Sequence, residues 1–320
     1  MRPPDDLPIT AVRGLRVGHA EAPGGTTGVT VLRFDRPAPT VVRILGGASA
    51  TYDTGSLGPD ATFGRRWAIF FAGGSLFGLD AARGVRDALE ASGAGHRVFG
   101  HPARLAPVTG AALFDLPPSG GRRPDYTRLG SRAARAASRR APREGRVGAG
   151  AGATVGKYLG RAHAAPGGVG AVAQGIGRIG SVGVLVAVNA VGAVREPATG
   201  RWLAGARVDG RFAAPDPGAR AVRAPRGAPR GTTLAAVVTD VPVGRAALAR
   251  IALLAAGGLA RTVVPVFTAT DGDVVFASAT RERSRLPAEA YPGGLADRIG
   301  TAAAELVGRA AARAVAPGPR

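Results

Sequence analysis

Three short stretches, RWAIFFAGG (66–74), SVGVLVAVN (181–189) and TTLAAVVTD (232–240), are apolar along almost their whole length and rich in β-branched or aromatic residues. Runs of this length and composition read as buried strands. Between and around them lie segments with helical character: SLFGLDAARGVRDALEASG (75–93), a stretch near 126–140 with an exposed arginine face, GRAALARIALLAAGGLAR (244–261) and a last helix across about 293–314. TVVPVFTA (262–269), DVVFASA (273–279) and a segment at about 26–33 read as further strands. Interleaved strands and helices give an α/β (α+β) class with helices packed on sheet faces. Ser75 is predicted to cap the first of these helices. Residues 195–231 lose periodicity and fill with Arg, Pro, Gly and Ala, which predicts a long loop. The length, 320 residues, suits a single large α/β domain over 1–320.

Several chemistries are excluded early. There is no cysteine, hence no disulfide, no thiolate metal site and no cysteine nucleophile. The four histidines, His19, His96, His101 and His163, have no metal-ligand spacing, so neither a metal nor another cofactor is expected. No apolar run reaches the roughly 18–20 residues of a membrane span. The opening MRPPDDLPITAVRG lacks a signal-peptide core, so a soluble, cytoplasmic protein is expected. The net charge of +20 raises nucleic acid as a partner. The excess is nearly all arginine, scattered among Ala, Gly and Pro as in a GC-rich coding background, and aromatics are only 5%, too few for a base-stacking platform. The expectation is a solvated basic surface and no nucleic-acid partner. The lack of Cys and the scarcity of Asn, Gln and Met also suit a heat-stable protein, although GC bias produces the same pattern.

Against that background the rare residues stand out. Lys157 is the only lysine, Asn189 the only asparagine and Gln174 the only glutamine. A chain that uses arginine everywhere else and lysine once points to a need for a compact ammonium of adjustable pKa, the alternative being a chance survivor on the surface. Its approach, GAGAGATVGKYLG, favours close backbone packing around the charge. Asn189 ends an apolar run, either as a site residue at a strand terminus or as a structural asparagine closing a turn.

Two nucleotide-binding patterns fail on context. GIGRIG (175–180) matches GxGxxG but precedes a strand instead of opening a helix. AGATVGKY approaches a P-loop, but Ala151 stands where the first glycine is required and Tyr158 where the magnesium-binding hydroxyl belongs.

A third constellation accounts for more. Residues 226–240, RGAPRGTTLAAVVTD, pass from loop to strand at Gly231–Thr232. If that bond breaks, Thr232 becomes a nucleophile whose own freed α-amine, with an unperturbed pKa of about 7.7–8.0, serves as base. Glycine at 231 leaves the carbonyl open to attack. Asn189 offers an oxyanion donor, and Lys157 a charge that depresses the pKa of the new amine. Asp271 and Asp273, two apart in TDGDVVFA, would share one face of a strand and look toward Thr232; a simple Asp-Gly turn with solvated acids is the other reading.

The motifs VGHA, FAGGSLFGLDAARGV, GAALFDL, GAGATVGK, VAVNAVG, GTTLAAVVTD and DGDVVFA, in this order over most of the chain, resemble those of the self-processing L-aminopeptidase D-Ala-esterase/amidase (DmpA-like) family. That family includes β-aminopeptidases and endo-type 6-aminohexanoate-oligomer (nylon) hydrolases. The resemblance implies a four-layer α/β/β/α sandwich and self-cleavage into fragments 1–231 and 232–320. It also implies assembly of the cleaved heterodimers into oligomers, often tetramers. It implies Thr232 as nucleophile, Lys157 and Asn189 as active-site residues, and Asp271 with Asp273 as the acidic pair orienting the nucleophile. Threonine followed by Asp-Gly-Asp looks more like the nylon-oligomer branch, whereas the aminopeptidase branch generally carries serine. Some members have a tyrosine near the substrate where Phe114 stands here, so a hydroxyl contact is lost and an apolar acyl pocket gained, which suits a linear aliphatic amide.

Overall fold

The computed structural model describes residues 6–58, 60–116, 123–216, 230–281 and 292–316. Among them nine strands form one continuous mixed sheet: β1 (Leu15–Glu21), β2 (Gly28–Ile44), β3 (Ala50–Tyr52), β4 (Arg65–Ala72), β5 (Val108–Ala112), β6 (Gly168–Gly175), β7 (Ser181–Asn189), β8 (Thr232–Thr239) and β9 (Val274–Ala279). The spatial order is β6-β7-β8-β9-β2-β4-β5-β3, with β1 added to β2. β8 with β9 and β4 with β5 are parallel, and the other pairs are antiparallel.

The long β2 turns this one sheet into two layers. Its first half pairs with β1 and β4, its last five residues with β9. Between the halves the register against β4 shifts from Arg33 to Ala38, at a segment holding Pro37 and Pro39. Proline has no ladder donor, and an irregularity of this kind bends and twists a strand. The sequence reading placed a strand at about 26–33; the observed one runs eleven residues further because its prolines sit where the strand changes layers.

Alternation along each strand then assigns the cores. Leu32, Phe34, Ile69 and Phe71 from one layer meet Leu185, Leu234, Ala236, Val274 and Phe276 from the other in a central core. The opposite faces of β7, β8 and β9 pack under α3 (Arg245–Thr262) and α4 (Pro292–Val315). Those of β2 and β4 pack under α1 (Ala81–Ala91) and α2 (Tyr126–Ala136). The result is the four-layer α/β/β/α sandwich. Asp125 caps α2, its carboxylate accepting the Arg128 N–H at 2.9 Å, and Arg128, Arg132 and Arg135 are exposed on it as predicted. Gln174 accepts from Arg309 of α4 at 2.9 Å, and Arg309 and Arg313 both clasp the buried Asp6, so the lone glutamine helps pin the last helix to β6.

Other local readings are corrected. Ser75 does not cap a helix: it follows Gly74 in the left-handed region at φ 55°, in a 3-10 turn, and α1 starts at Ala81. TVVPVFTA is a strand only at Val263–Val264; beyond Pro265 its backbone donors turn to Asp271 and Asp273. The predicted loop 195–231 contains the short strands Trp202–Ala204, Arg207–Val208 and Arg211–Phe212, and its residues 217–229 lie outside the described residues. GIGRIG joins the antiparallel β6 and β7, and Lys157 opens a 3-10 turn instead of a P-loop helix.

Candidate active site

The site forms where β7 ends and β8 begins. Asn189 and Thr232 are direct partners on the antiparallel ladder. By strand periodicity both project on the same side as Leu185 and Leu234, into the space between the two β layers. Immediately upstream, Gly231 bridges to Asp271 in the turn that leads into β9.

That turn is held by its two acids. Asp271 accepts the Thr268 hydroxyl at 2.6 Å, the Thr268 N–H at 3.3 Å and the Val191 N–H at 3.3 Å. Asp273 accepts the Thr233 N–H at 2.5 Å and the Phe267 N–H at 2.8 Å. The pair therefore does not share a strand face, since β9 starts only at Val274. Neither acid is solvated, at 1% and 0% exposed. Burial, and then the charge of Asp271, pushes the Asp273 carboxyl up from the usual carboxylate range.

The backbone comes unusually close at Thr232. The Thr232 hydroxyl donates to its own preceding carbonyl, that of Gly231, at 2.5 Å, and the Gly272 N–H donates to the same oxygen at 3.0 Å. A Cβ at position 231 would stand 2.3 Å from the Val191 nitrogen and 2.4 Å from Asp271 Oδ1; one at 272 would stand 2.9 Å from Thr232 Oγ1. Both glycines are thus required by the approach. A carbonyl oxygen with a fixed backbone donor is one on which negative charge is stabilised.

Lys157 is buried, and its ammonium donates at 2.8 Å to both the backbone carbonyl and the side-chain Oδ1 of Asn189. Burial, reinforced by Arg161 and opposed by Asp271, Asp115 and Asp273, lowers its pKa to about 7. A neutral amine has two N–H donors and one lone pair; with both donors on Asn189 the lone pair is left to act as a base. Asn189 also accepts the Thr154 N–H at 3.0 Å, and its Nδ2 donates to the Phe114 carbonyl at 3.0 Å. The expected oxyanion role for this amide is therefore not the contact seen; the donor on the Gly231 carbonyl is Gly272. Asn189 instead ties Lys157, the short strand Thr154–Val155 and Phe114 to the strand opposite Thr232.

Phe114 is half-buried, and the Arg230 guanidinium lies over its ring, 5.3 Å from the centroid. The neighbouring Asp115 escaped the sequence reading. It is buried, accepts the Gly74 N–H at 2.6 Å, and burial raises its pKa. The signal for it was a lone acid inside the apolar GAALFDL. Among the described residues no group of His, Cys, Asp and Glu is placed to hold a metal ion, and no helix is long and apolar enough to cross a membrane.

The signature of peptidase family S58 matches residues 8–318. The chain belongs to peptidase family S58. An uncharacterized aminopeptidase of Mycobacterium tuberculosis is 36% identical over 94% of this chain and 91% of its own length. The 6-aminohexanoate-oligomer endohydrolase of Paenarthrobacter ureafaciens is 31% identical over 84% and 74%. In fold, the chain is similar to the L-aminopeptidase D-Ala-esterase/amidase of Ochrobactrum anthropi, described as a variant of the Ntn hydrolase fold, with a TM-score of 0.64, 18% identity and coverage of 96% and 85%. As an S58 member it is a hydrolase of amide or peptide bonds, and the Thr232 hydroxyl and Gly272 N–H on the Gly231 carbonyl, with the Lys157 amine held on the ladder partner Asn189, suit acyl transfer.

Proposed function

We propose that this S58 hydrolase cuts itself between Gly231 and Thr232 and then uses Thr232 as an N-terminal nucleophile on linear aliphatic amides such as 6-aminohexanoate oligomers. The observation that carries the reading is the double contact on the Gly231 carbonyl, from the Thr232 hydroxyl and the Gly272 N–H. In the first step Thr232 Oγ1 bonds to the Gly231 carbonyl carbon, the C–N bond breaks, and the hydroxyl proton passes to the departing amine. Lys157 in its neutral form is the base that relays it. Gly272 holds the developing oxyanion. Water then hydrolyses the ester, leaving a Gly231 carboxylate and a free Thr232 amine, which serves as the base in later turnovers. Asp273 fixes the β8 entry through Thr233, and Asp271 fixes the turn that carries Gly272.

Support for the substrate is the similarity to the Paenarthrobacter enzyme, the threonine nucleophile and the half-buried Phe114 ring. The mycobacterial relatives, named as uncharacterized aminopeptidases, favour a second reading with the same residues, an aminopeptidase; D- or β-amino acid amides are the substrates this second reading puts forward. Assembly of cleaved heterodimers into a tetramer belongs to the proposal, with no cofactor, nucleic acid or membrane partner; light scattering of the processed protein tests the assembly. The deciding experiment for the mechanism is a denaturing gel with N-terminal sequencing. Wild type should give fragments 1–231 and 232–320, the second beginning Thr-Thr-Leu, and Thr232→Ala should remain intact and inactive. An intact, fully active wild type would overturn the mechanism. Release of 6-aminohexanoate from its oligomers, compared with release of β-alanine or D-alanine from amides, separates the two substrate readings.

A further inference from the structure

We infer that the face of the Phe114 ring is the subsite for a positively charged end of the substrate's acyl half. The inference rests on Thr232 being acylated as proposed above. During self-cleavage the ester on Thr232 carries Gly231 as its acyl group, with Arg230 the next residue out. That ester is chemically the acyl-enzyme of a first turnover, so the positions of Gly231 and Arg230 report where the acyl half of any later substrate lies.

The positions are specific. The Gly231 carbonyl oxygen rests on the Gly272 N–H, and the Arg230 guanidinium lies 5.3 Å from the centre of the Phe114 ring. Arg230 is itself exposed, so burial does not force it there. The ring is built into the site: the Phe114 carbonyl is tied at 3.0 Å to Nδ2 of Asn189, the ladder partner of Thr232. A cation over an aromatic face is attracted by the ring quadrupole, and the attraction grows as the site is desolvated. A substrate that displaces Arg230 therefore finds a half-buried π face suited to an ammonium. A linear ω-aminoacyl group brings a charge there on a flexible apolar arm; an acyl chain ending in methyl fills the space without using the face.

The test uses processed enzyme and two anilides of equal chain length, 6-aminohexanoyl and heptanoyl, which differ by ammonium against methyl. Wild type should prefer the charged substrate in kcat/KM. Phe114→Leu, which keeps apolar bulk but removes the ring, should lower the charged-to-neutral ratio about tenfold, and Phe114→Trp should retain it. A ratio unchanged in Phe114→Leu overturns the inference, whether both rates fall together or neither falls. If Phe114→Leu does not process, competitive inhibition of wild type decides: hexylamine should bind more tightly than hexan-1-ol, and equal binding overturns the subsite. Failure of the Thr232 reading looks different, as a wild type with no new N-terminus.

Discussion

Asn189 and Thr232 face each other as the last residue of one strand and the first of the next, and the Lys157 ammonium is anchored on the first of them. The Asn189 side chain also accepts the Thr154 N–H and donates to the Phe114 carbonyl. Replacing it with alanine removes three buried hydrogen bonds. Asn189→Ala on a Thr232→Ala background should lower unfolding stability by about 2–4 kcal/mol, read by denaturant titration; otherwise active protein should process slowly. Asn189→Asp is the sharper variant. It keeps the acceptor for Lys157 but adds a negative charge beside it, which favours the ammonium and should move the acidic limb of the pH-rate profile to higher pH.

The Lys157 pKa, lowered to about 7, gives a second expectation with a definite sign. As a base it works when neutral, so the self-cleavage rate should rise as pH increases through about 7. For stability, the folded pKa lies below the unfolded value of 10.5, so the unfolded chain binds more protons between the two and stability should rise with pH across that window. Below about 7 the buried ammonium is a full burden. Lys157→Met on the Thr232→Ala background should therefore raise the melting temperature at pH 6 by about 2 °C or more and bring less benefit toward pH 10. A melting temperature that falls equally at both pH values would oppose this.

The two glycines at the carbonyl should separate processing from turnover. A Cβ at 231 collides with Val191 and Asp271 only while residue 231 is held at Thr232. Gly231→Ala should slow fragment formation at least tenfold, yet whatever protein does process should turn over substrate at close to the wild-type rate. At Gly272 the Cβ meets Thr232 Oγ1 itself, so Gly272→Ala should impair both steps. Time-resolved gels and active-site titration distinguish the two patterns.

Asp273 accepts two backbone N–H groups with its two oxygens. Asp273→Asn must turn an amide nitrogen toward one of those donors, leaving the donor unsatisfied in a buried setting, at a cost of about 1–3 kcal/mol. Burial raises the folded Asp273 pKa, so the wild type loses stability as pH rises through that pKa, whereas the amide does not titrate. The destabilisation relative to Asp273 should thus be largest at acidic pH and shrink at alkaline pH, measured by chemical denaturation of the Thr232→Ala form.

Much of this was legible in the sequence because a biased composition made departures visible. Lys157 and Asn189 stand out as unique residues, and the structure joins them by two hydrogen bonds. The strands of β7 and β8 were legible from their apolar runs. What could not be read was contact made by backbone. The Gly272 N–H on the Gly231 carbonyl leaves no trace in residue type beyond a glycine in a glycine-rich chain. The strand read at about 26–33 falls short of β2, whose proline segment marks the bend between layers. At Ser75 a left-handed turn at Gly74 and Ser75 overrides the capping preference. Asp271 and Asp273 matched a strand pattern, but their hydrogen bonds close a turn.

The strand order has a consequence for a chain cut at Gly231. β8 and β9 belong to the smaller piece, yet they lie between β7 and β2 of the larger one. The two pieces are interlocked by ladders on both flanks, so the cut releases nothing while the sheet survives. Once the sheet is lost, the partners must find each other by diffusion, and recovery depends on protein concentration. Durability of the mature enzyme is then a matter of how slowly it opens, a property of elapsed time at a given temperature more than of equilibrium.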